Sequence, residues 1–321
     1  FIGETGVDGR ALGFSLLVLL ATTVGFGLPV AFRVSGSGLS RVINSSTRSG
    51  IGNRRDRIRR EVLVVVQVAL ALALMISAAL MIRSLMNLKT VDPGFDTENL
   101  LTLRVLLPNK SYETDTEIST FYEQSIREIA AIPGVRSVSA TSTIPLVGST
   151  SNTGISIEGR PASSPDETVF VGAEAIAPNY LETMGIPLLE GRDLTAFDRA
   201  DTEATVIINN SMARHFWPGE SAIGKRVKYG SPESENPWLT VVGVMGNYRY
   251  TSLDADVRLE TLYPMLSFPA PAMTFVVRTE GEPSAATADV RKAIWRVGPE
   301  LAIYQVATMD EVVSRNTRSI D

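Results

Sequence analysis

Residues 62–82 form an unbroken run of 21 residues without a charged side chain, VLVVVQVALALALMISAALMI. As an α-helix rising about 1.5 Å per residue it would be about 31 Å long, the thickness of a bilayer's hydrocarbon core. Gln67 and Ser77 are its only strongly polar members. A soluble interior seldom needs a helix that is apolar on every side, so the run reads as a membrane span. Its flanks agree. Before it stands the basic cluster Arg54, Arg55, Arg57, Arg59 and Arg60; after it come Leu85 and Leu88, which prolong the helix as a stalk, and then Val91-Asp92-Pro93-Gly94-Phe95-Asp96.

Charge fixes an orientation. The net charge of −5 hides an asymmetry, because residues 33–60 carry eight Arg against one Asp, or +7, which leaves −12 for the remainder. Basic residues beside membrane spans stay on the cytoplasmic side, held at anionic headgroups, so membrane lipids are their expected partner. Ala11 to Phe32 is a second uncharged stretch, whose Gly13, Gly25, Gly27 and Pro29 suit a membrane helix. Glu4, Asp8 and Arg10 ahead of it do not make the positive start of a signal peptide. Residues 11–32 therefore read as one transmembrane helix, 33–61 as a basic, Ser- and Gly-containing cytoplasmic linker, and 62–84 as a second transmembrane helix with a stalk to about 90. Everything beyond lies on the far side. The chain has no Cys, so single cysteines at Thr47 and Ser163 can be probed separately in intact cells. An impermeant maleimide is expected to label position 163 and not 47; the reverse would overturn this topology.

The remainder, 91–321, alternates like an α+β domain. Leu101, Leu103, Val105 and Leu107 share one strand face. Ile118, Phe121, Tyr122, Ser125, Ile126, Ile129 and Ile132 recur at helical spacing until Pro133-Gly134, and a strand follows over 135–144. The same grammar returns as a strand over 273–279, a helix opened by Pro283 and stopped at Gly298-Pro299, and a strand over 301–306. Two β-α-β units predict a ferredoxin-like split layer from 99–146 and 270–308, with a mainly-β part inserted over 150–268.

Candidate chemistry is sparse. Gly219 to Lys225 matches the first seven positions of a P-loop, but Arg226 stands where a hydroxyl must reach Mg²⁺, and the segment follows a helix and opens a strand, so it reads as a turn. Asp193, Asp198, Asp201 and Glu203 lack the alternating spacing of a Ca²⁺ loop and read as a solvated loop. His215 is the only His; without Cys or a second His, a catalytic dyad or zinc site is hard to build, and it is expected to pack at a helix end. Trp217, Trp238 and Trp295 read as core. No catalytic, cofactor or metal residues are assigned. Overall acidity argues against nucleic acid as a partner.

Taken in order, these pieces resemble the second half of the duplicated orphan permeases (ADOP) within the MacB/FtsX-like ABC transporter superfamily. The resemblance rests on Arg60 to Leu88, Val91 to Asp96, Asn99 to Leu103, Gly134-Val135, Ile144-Pro145-Leu146, Asn179-Tyr180-Leu181 and Met184 to Pro187. Gly191-Arg192-Asp193, Phe216 to Glu220, Ile223 to Arg226, Val241 to Val244 and Tyr263-Pro264 complete it. It implies a piece of a multi-pass bacterial inner-membrane permease with a periplasmic core domain, in a porter-like part and an inserted part. It further implies no enzymatic activity in this chain, ATP used by a separate ABC ATPase subunit, a periplasmic partner or substrate, and pairing into a dimer. The rival class is a membrane-anchored extracytoplasmic sensor or binding module, which kinase or cyclase sequence after Asp321 would favour and further spans would oppose.

Overall fold

The computed structural model describes residues 54–89, 92–108, 110–147, 152–160, 169–252 and 256–318. The chain divides into two units, 1–80 and 81–321. The expected first span, 11–32, and most of the basic linker lie outside the described residues.

The apolar run lies in α1 (Arg54–Lys89), a helix of 36 residues with no Gly or Pro to interrupt it. Within it Glu61–Met81 is long and apolar enough to cross a membrane, with a mean hydropathy of 2.6, and it is the one such helix among the described residues. Its side chains from Val62 to Met81 are exposed all round. Ser77 returns its hydroxyl to the carbonyl of Ala73 at 2.8 Å, so that polar group is satisfied within the helix. The helix starts earlier than the sequence reading placed it. Arg54, Arg55, Arg57, Arg59 and Arg60 belong to its first turns rather than to a linker, because Arg is a good helix former and nothing breaks the run. Leu85 and Leu88 fall in its last turns. The side chains of these seven residues lie outside the described ones.

In the second unit, β1 (Leu100–Leu106), α2 (Asp115–Ala130) and β2 (Val135–Thr141) are followed, after a long excursion, by β10 (Ala272–Thr279), α5 (Pro283–Val297) and β11 (Ile303–Thr308). Their four strands lie in the order β11-β1-β10-β2, every neighbour antiparallel. Each β-α-β unit is thus split by a strand of the other, as in a ferredoxin-like layer. α2 starts at a capping box, in which Thr114 receives the Glu117 N–H while Glu117 receives the Thr114 N–H. Phe121, Tyr122 and Ile129 from α2, and Val290 and Ile294 from α5, pack on Leu101, Leu103, Val105 and Phe275.

The excursion holds β3 (Asn152–Ile157), β4 (Val169–Ile176), α3 (Tyr180–Met184), β5 (Leu188–Gly191), β6 (Thr205–Asn209), α4 (Asn210–Phe216), β7 (Arg226–Tyr229), β8 (Leu239–Met245) and β9 (Glu260–Pro264). Six of these strands run β4-β3-β7-β8-β6-β9, and β9 pairs back on β4 in parallel, so the sheet closes into a barrel. Closure removes free edges. β5 adds to β8. A single residue pair, Thr141 with Ile176, joins the split layer to the barrel. α6 (Met309–Arg318) follows β11, capped by reciprocal bonds between Thr308 and Glu311.

One strand pair is a narrow connection, and an apolar cluster reinforces it. Leu100, Val276 and Ala307 from the split layer meet Ile176, Ile207, Met245 and Leu262 from the barrel, with Tyr180, Leu181 and Met184 of α3 and Met309 and Val312 of α6 filling the space. The cluster's remaining members include Phe95, from the segment that follows α1 in the chain.

Candidate functional site

The segment 92–99 is short, polar and Gly-containing, yet it is anchored at nearly every residue. Asp92 accepts the Gly94 N–H on its side chain at 2.8 Å and forms an Asx turn. Gly94 sits at φ +82°, and a Cβ there would meet the carbonyl oxygen of Asn247 at 2.2 Å, so both the conformation and the close approach require glycine. The chain then passes under the 246–252 loop, where the Pro93 carbonyl accepts the Arg249 N–H at 2.8 Å. Phe95 is buried in the shared cluster; burying a side chain of this size is worth about 1.5–3 kcal/mol. The Asp96 N–H donates to the Met184 carbonyl, at the end of α3, at 2.8 Å.

Arg278, the seventh residue of β10, closes the anchor. Its guanidinium donates to the Asp96 carboxylate at 2.9 Å, to the carbonyls of Asp96 and Glu98 at 3.0 and 2.7 Å, and through Nε to the Thr183 carbonyl at 2.9 Å. Arg278 itself is buried. One side chain of the split layer therefore holds both the segment that follows α1 and the helix that enters the barrel. Arg suits this task because its five donors are fixed in one plane, whereas Lys offers a point charge on a mobile stem.

A second polar knot lies on the outer face of the barrel. Gly172, Glu174 and Ile176 alternate on that face of β4, and Glu260 pairs with Gly172 from β9. Glu174 and Glu260 are only 1% and 2% exposed. Arg258 donates through Nε to Glu260 at 2.5 Å and lies 3.9 Å from Glu174. Glu174 in turn accepts the Ser142 hydroxyl at 2.5 Å and the Tyr250 hydroxyl at 2.6 Å. The Arg258 guanidinium stands 3.8 Å above the Tyr250 ring, a cation–π contact. A Cβ on Gly172 would stand 2.4 Å from Arg258 Nη2 and 2.5 Å from the Glu260 carboxylate, so glycine makes the room for this ion pair. The knot fastens three elements: the turn after β2 through Ser142, the 246–252 loop through Tyr250, and the barrel.

Two buried carboxylates share one cation, and their titration follows from that. Burial pushes both Glu174 and Glu260 upward; Glu260 rises to about 7 despite Arg258, with the Glu174 charge adding to the rise. Between the ordinary carboxylate value near 4.5 and about 7, the folded state thus binds more protons than the unfolded one. Stability contributed by this knot falls as pH rises through that window and is level above it. The thermal midpoint of the chain is expected to drop from pH 5 to pH 7.5, and Glu174→Gln is expected to shallow the slope by leaving Arg258 to Glu260 alone. An unchanged slope in that variant would contradict the shared-proton account.

The structure corrects the solvated reading of Asp198 and the core reading of Trp238 and Trp295. Asp198 is not solvated: it is 3% exposed. Burial opposes its charge, but Arg192, the Thr195 N–H and the hydroxyls of Thr205 and Thr195 hold its carboxyl down to about 2. Asp201 and Glu203 do stay at the surface. His215 is exposed in the last turn of α4, its ring edge-on to Phe216. Of the three Trp, only Trp217 is core. Trp238 lies beside Arg226 and Lys228 at 5.8 and 5.1 Å, and Trp295 is 40% exposed, its indole N–H on the Leu301 carbonyl at 3.0 Å. The P-loop-like stretch is a turn from α4 to β7, with Gly219 and Gly224 left-handed at φ +80° and +79°. Sequence reasoning missed both knots. The available signals were Glu174 inside the apolar run VFVGAEAI and Arg278 at the end of AMTFVVRT.

The described residues thus hold a split α+β layer fused to a closed barrel, with the segment that follows an exposed apolar helix tied into both. The family model described as MacB-like periplasmic core domain matches residues 62–296, and the chain belongs to that family, one of ABC transporter permeases. Among solved structures, the periplasmic region of MacB from Actinobacillus actinomycetemcomitans is 13% identical, covering 69% of this chain and 94% of that one, with a TM-score of 0.46. The extracellular domain of the noncanonic ABC-type transporter YknZ from Gram-positive bacteria is 19% identical, covering 65% and 100%, with a TM-score of 0.42. No curated protein matches the chain.

Proposed function

We propose that this chain is part of the membrane subunit of a MacB/FtsX-like ABC transporter of the duplicated orphan permease type. On this reading it crosses the bacterial inner membrane at 11–32 and 62–84, and 33–61 is cytoplasmic. The 91–321 domain is then periplasmic, porter-like over 99–146 and 270–308 and inserted over 150–268. It is not itself an enzyme: ATP is hydrolysed on a separate ATPase, and this domain carries the resulting motion to a periplasmic substrate or partner, the permease working as a dimer. The observation that carries the reading is the Arg278 anchor. A segment placed directly after a membrane helix needs no such fixation merely to tether a domain, whereas a displacement of that helix can only be passed on through a joint that does not yield.

Purification of the protein from its native membrane in mild detergent tests this. A stoichiometric P-loop ATPase is expected to come with it, with hydrolysis lost when that subunit's phosphate-binding Lys is replaced. Reproducible recovery without an ATPase, under conditions that preserve a known permease complex, would overturn the energised-transporter reading.

A further inference from the structure

A cleft of about 390 Å³ opens on the face of the split layer away from α2 and α5, between β11, α6 and the turn after β2. Its size is at the lower end for small-molecule sites. Its lining is aliphatic at Ile144, Leu146 and Val312 and polar at Arg104, Gln305 and Arg315, α6 supplying both Val312 and Arg315. Arg104 is half-buried and Arg315 is exposed, and among the described residues neither has a hydrogen-bonded or ion-paired partner.

The backbone marks the same place. Among the described residues four that are not glycine have left-handed φ, and two of them line this cleft: Leu146 at +67° and Gln305 at +51°. For Leu, whose Cβ then crowds the following carbonyl, this is a true outlier that costs on the order of 1–3 kcal/mol. It persists because the Leu146 N–H is fixed on the Tyr250 carbonyl at 2.6 Å and the side chain is buried. Gln305 lies where β11 bulges against β1, between the pairings of Thr102 and Arg104, and bulges of this kind re-aim side chains beside functional sites. Two left-handed residues thus line one cleft beside two guanidinium groups that have no anionic partner among the described residues.

We infer that this cleft binds a small amphipathic carboxylate: an unbranched alkyl chain along Ile144, Leu146 and Val312, with its carboxylate between Arg104 and Arg315. The alkyl assignment follows from the aliphatic part of the lining, which has no aromatic ring among the described residues. The anionic head follows from two guanidinium forks, which match a carboxylate's two oxygens.

The test uses octanoate as probe and saturation-transfer NMR on the full chain in phosphatidylcholine nanodiscs, with empty nanodiscs subtracted. Octanoate is expected to bind saturably, and Arg104→Gln with Arg315→Gln together are expected to weaken it about tenfold or more at an unchanged thermal midpoint. Val312→Trp, which fills the aliphatic side, is expected to abolish binding while leaving both arginines in place. Uncharged octanamide is expected to bind far more weakly than octanoate. Equal binding of octanamide, or an octanoate affinity indifferent to the arginine pair, would overturn the proposal. Octyl phosphate binding about tenfold tighter than octanoate would also overturn it, and would reassign the cleft to a phosphate-bearing lipid.

Discussion

Replacing Arg278 with methionine is expected to cost the 81–321 unit about 3–5 kcal/mol, because it removes one buried cation and leaves three carbonyls without a donor. For a unit of this size that is a fall in thermal midpoint on the order of 10 °C. The carbonyls carry most of the effect. Asp96, whose side chain is 52% exposed, can recover water once Arg278 is gone. Asp96→Asn is therefore expected to cost no more than about 1 kcal/mol, as for a solvent-screened pair. If the two variants lost equal stability, the anchor would be an ordinary ion pair and not a carbonyl clasp. Arg278→Lys separates charge from geometry: it keeps the cation, loses the planar fork, and is expected to lie near methionine rather than near wild type.

Replacing Arg258 with leucine is expected to be as severe at pH 8 and clearly milder at pH 5. The substitution takes from two buried carboxylates, Glu174 and Glu260, the guanidinium they share and removes it from the Tyr250 ring. Breaking a buried pair from one side costs about 3–5 kcal/mol. At pH 5 the carboxylates, already displaced upward, take up protons and the penalty shrinks. Arg258→Leu combined with Glu174→Gln and Glu260→Gln is expected to regain much of the loss, since neutral amides need no counter-charge. A deficit equal at both pH values, or no recovery in the triple variant, would show that Arg258 acts by packing alone.

The legible parts of this fold were those carried by periodicity. α1, α2 and α5 announce themselves by apolar spacing and by their stops, and β1, β2, β6, β8 and β10 by alternation or unbroken apolar runs. β9 was missed because Glu260-Thr261-Leu262-Tyr263-Pro264 begins with a buried acid and ends in Pro, neither of which reads as a strand. β5 was missed because all four of its residues are exposed. α6 was missed although Thr308 and Glu311 form its capping pair. Barrel closure by β4 and β9 was out of reach for a different reason. It is a parallel pairing between residues more than 80 positions apart, and nothing local encodes it. The candidate site shares that difficulty: Arg278 and Asp96 are 182 residues apart, and each alone resembles a surface charge. Asp198 was misjudged likewise, since its partner Thr205 is brought to it by β6.

Amide hydrogen exchange over residues 93–99, read by mass spectrometry on the full chain in nanodiscs, tests most directly whether this segment is one body with the domain. The fixed-joint account expects the Asp96 amide, bonded to the Met184 carbonyl, to exchange no faster than the amides of β10, by global unfolding. It also expects Arg278→Met to release 93–99 to rapid exchange ahead of β10. Rapid exchange of this segment in the unaltered chain, with β10 still protected, would mean that the joint opens locally and cannot carry a displacement from the membrane helix into the domain.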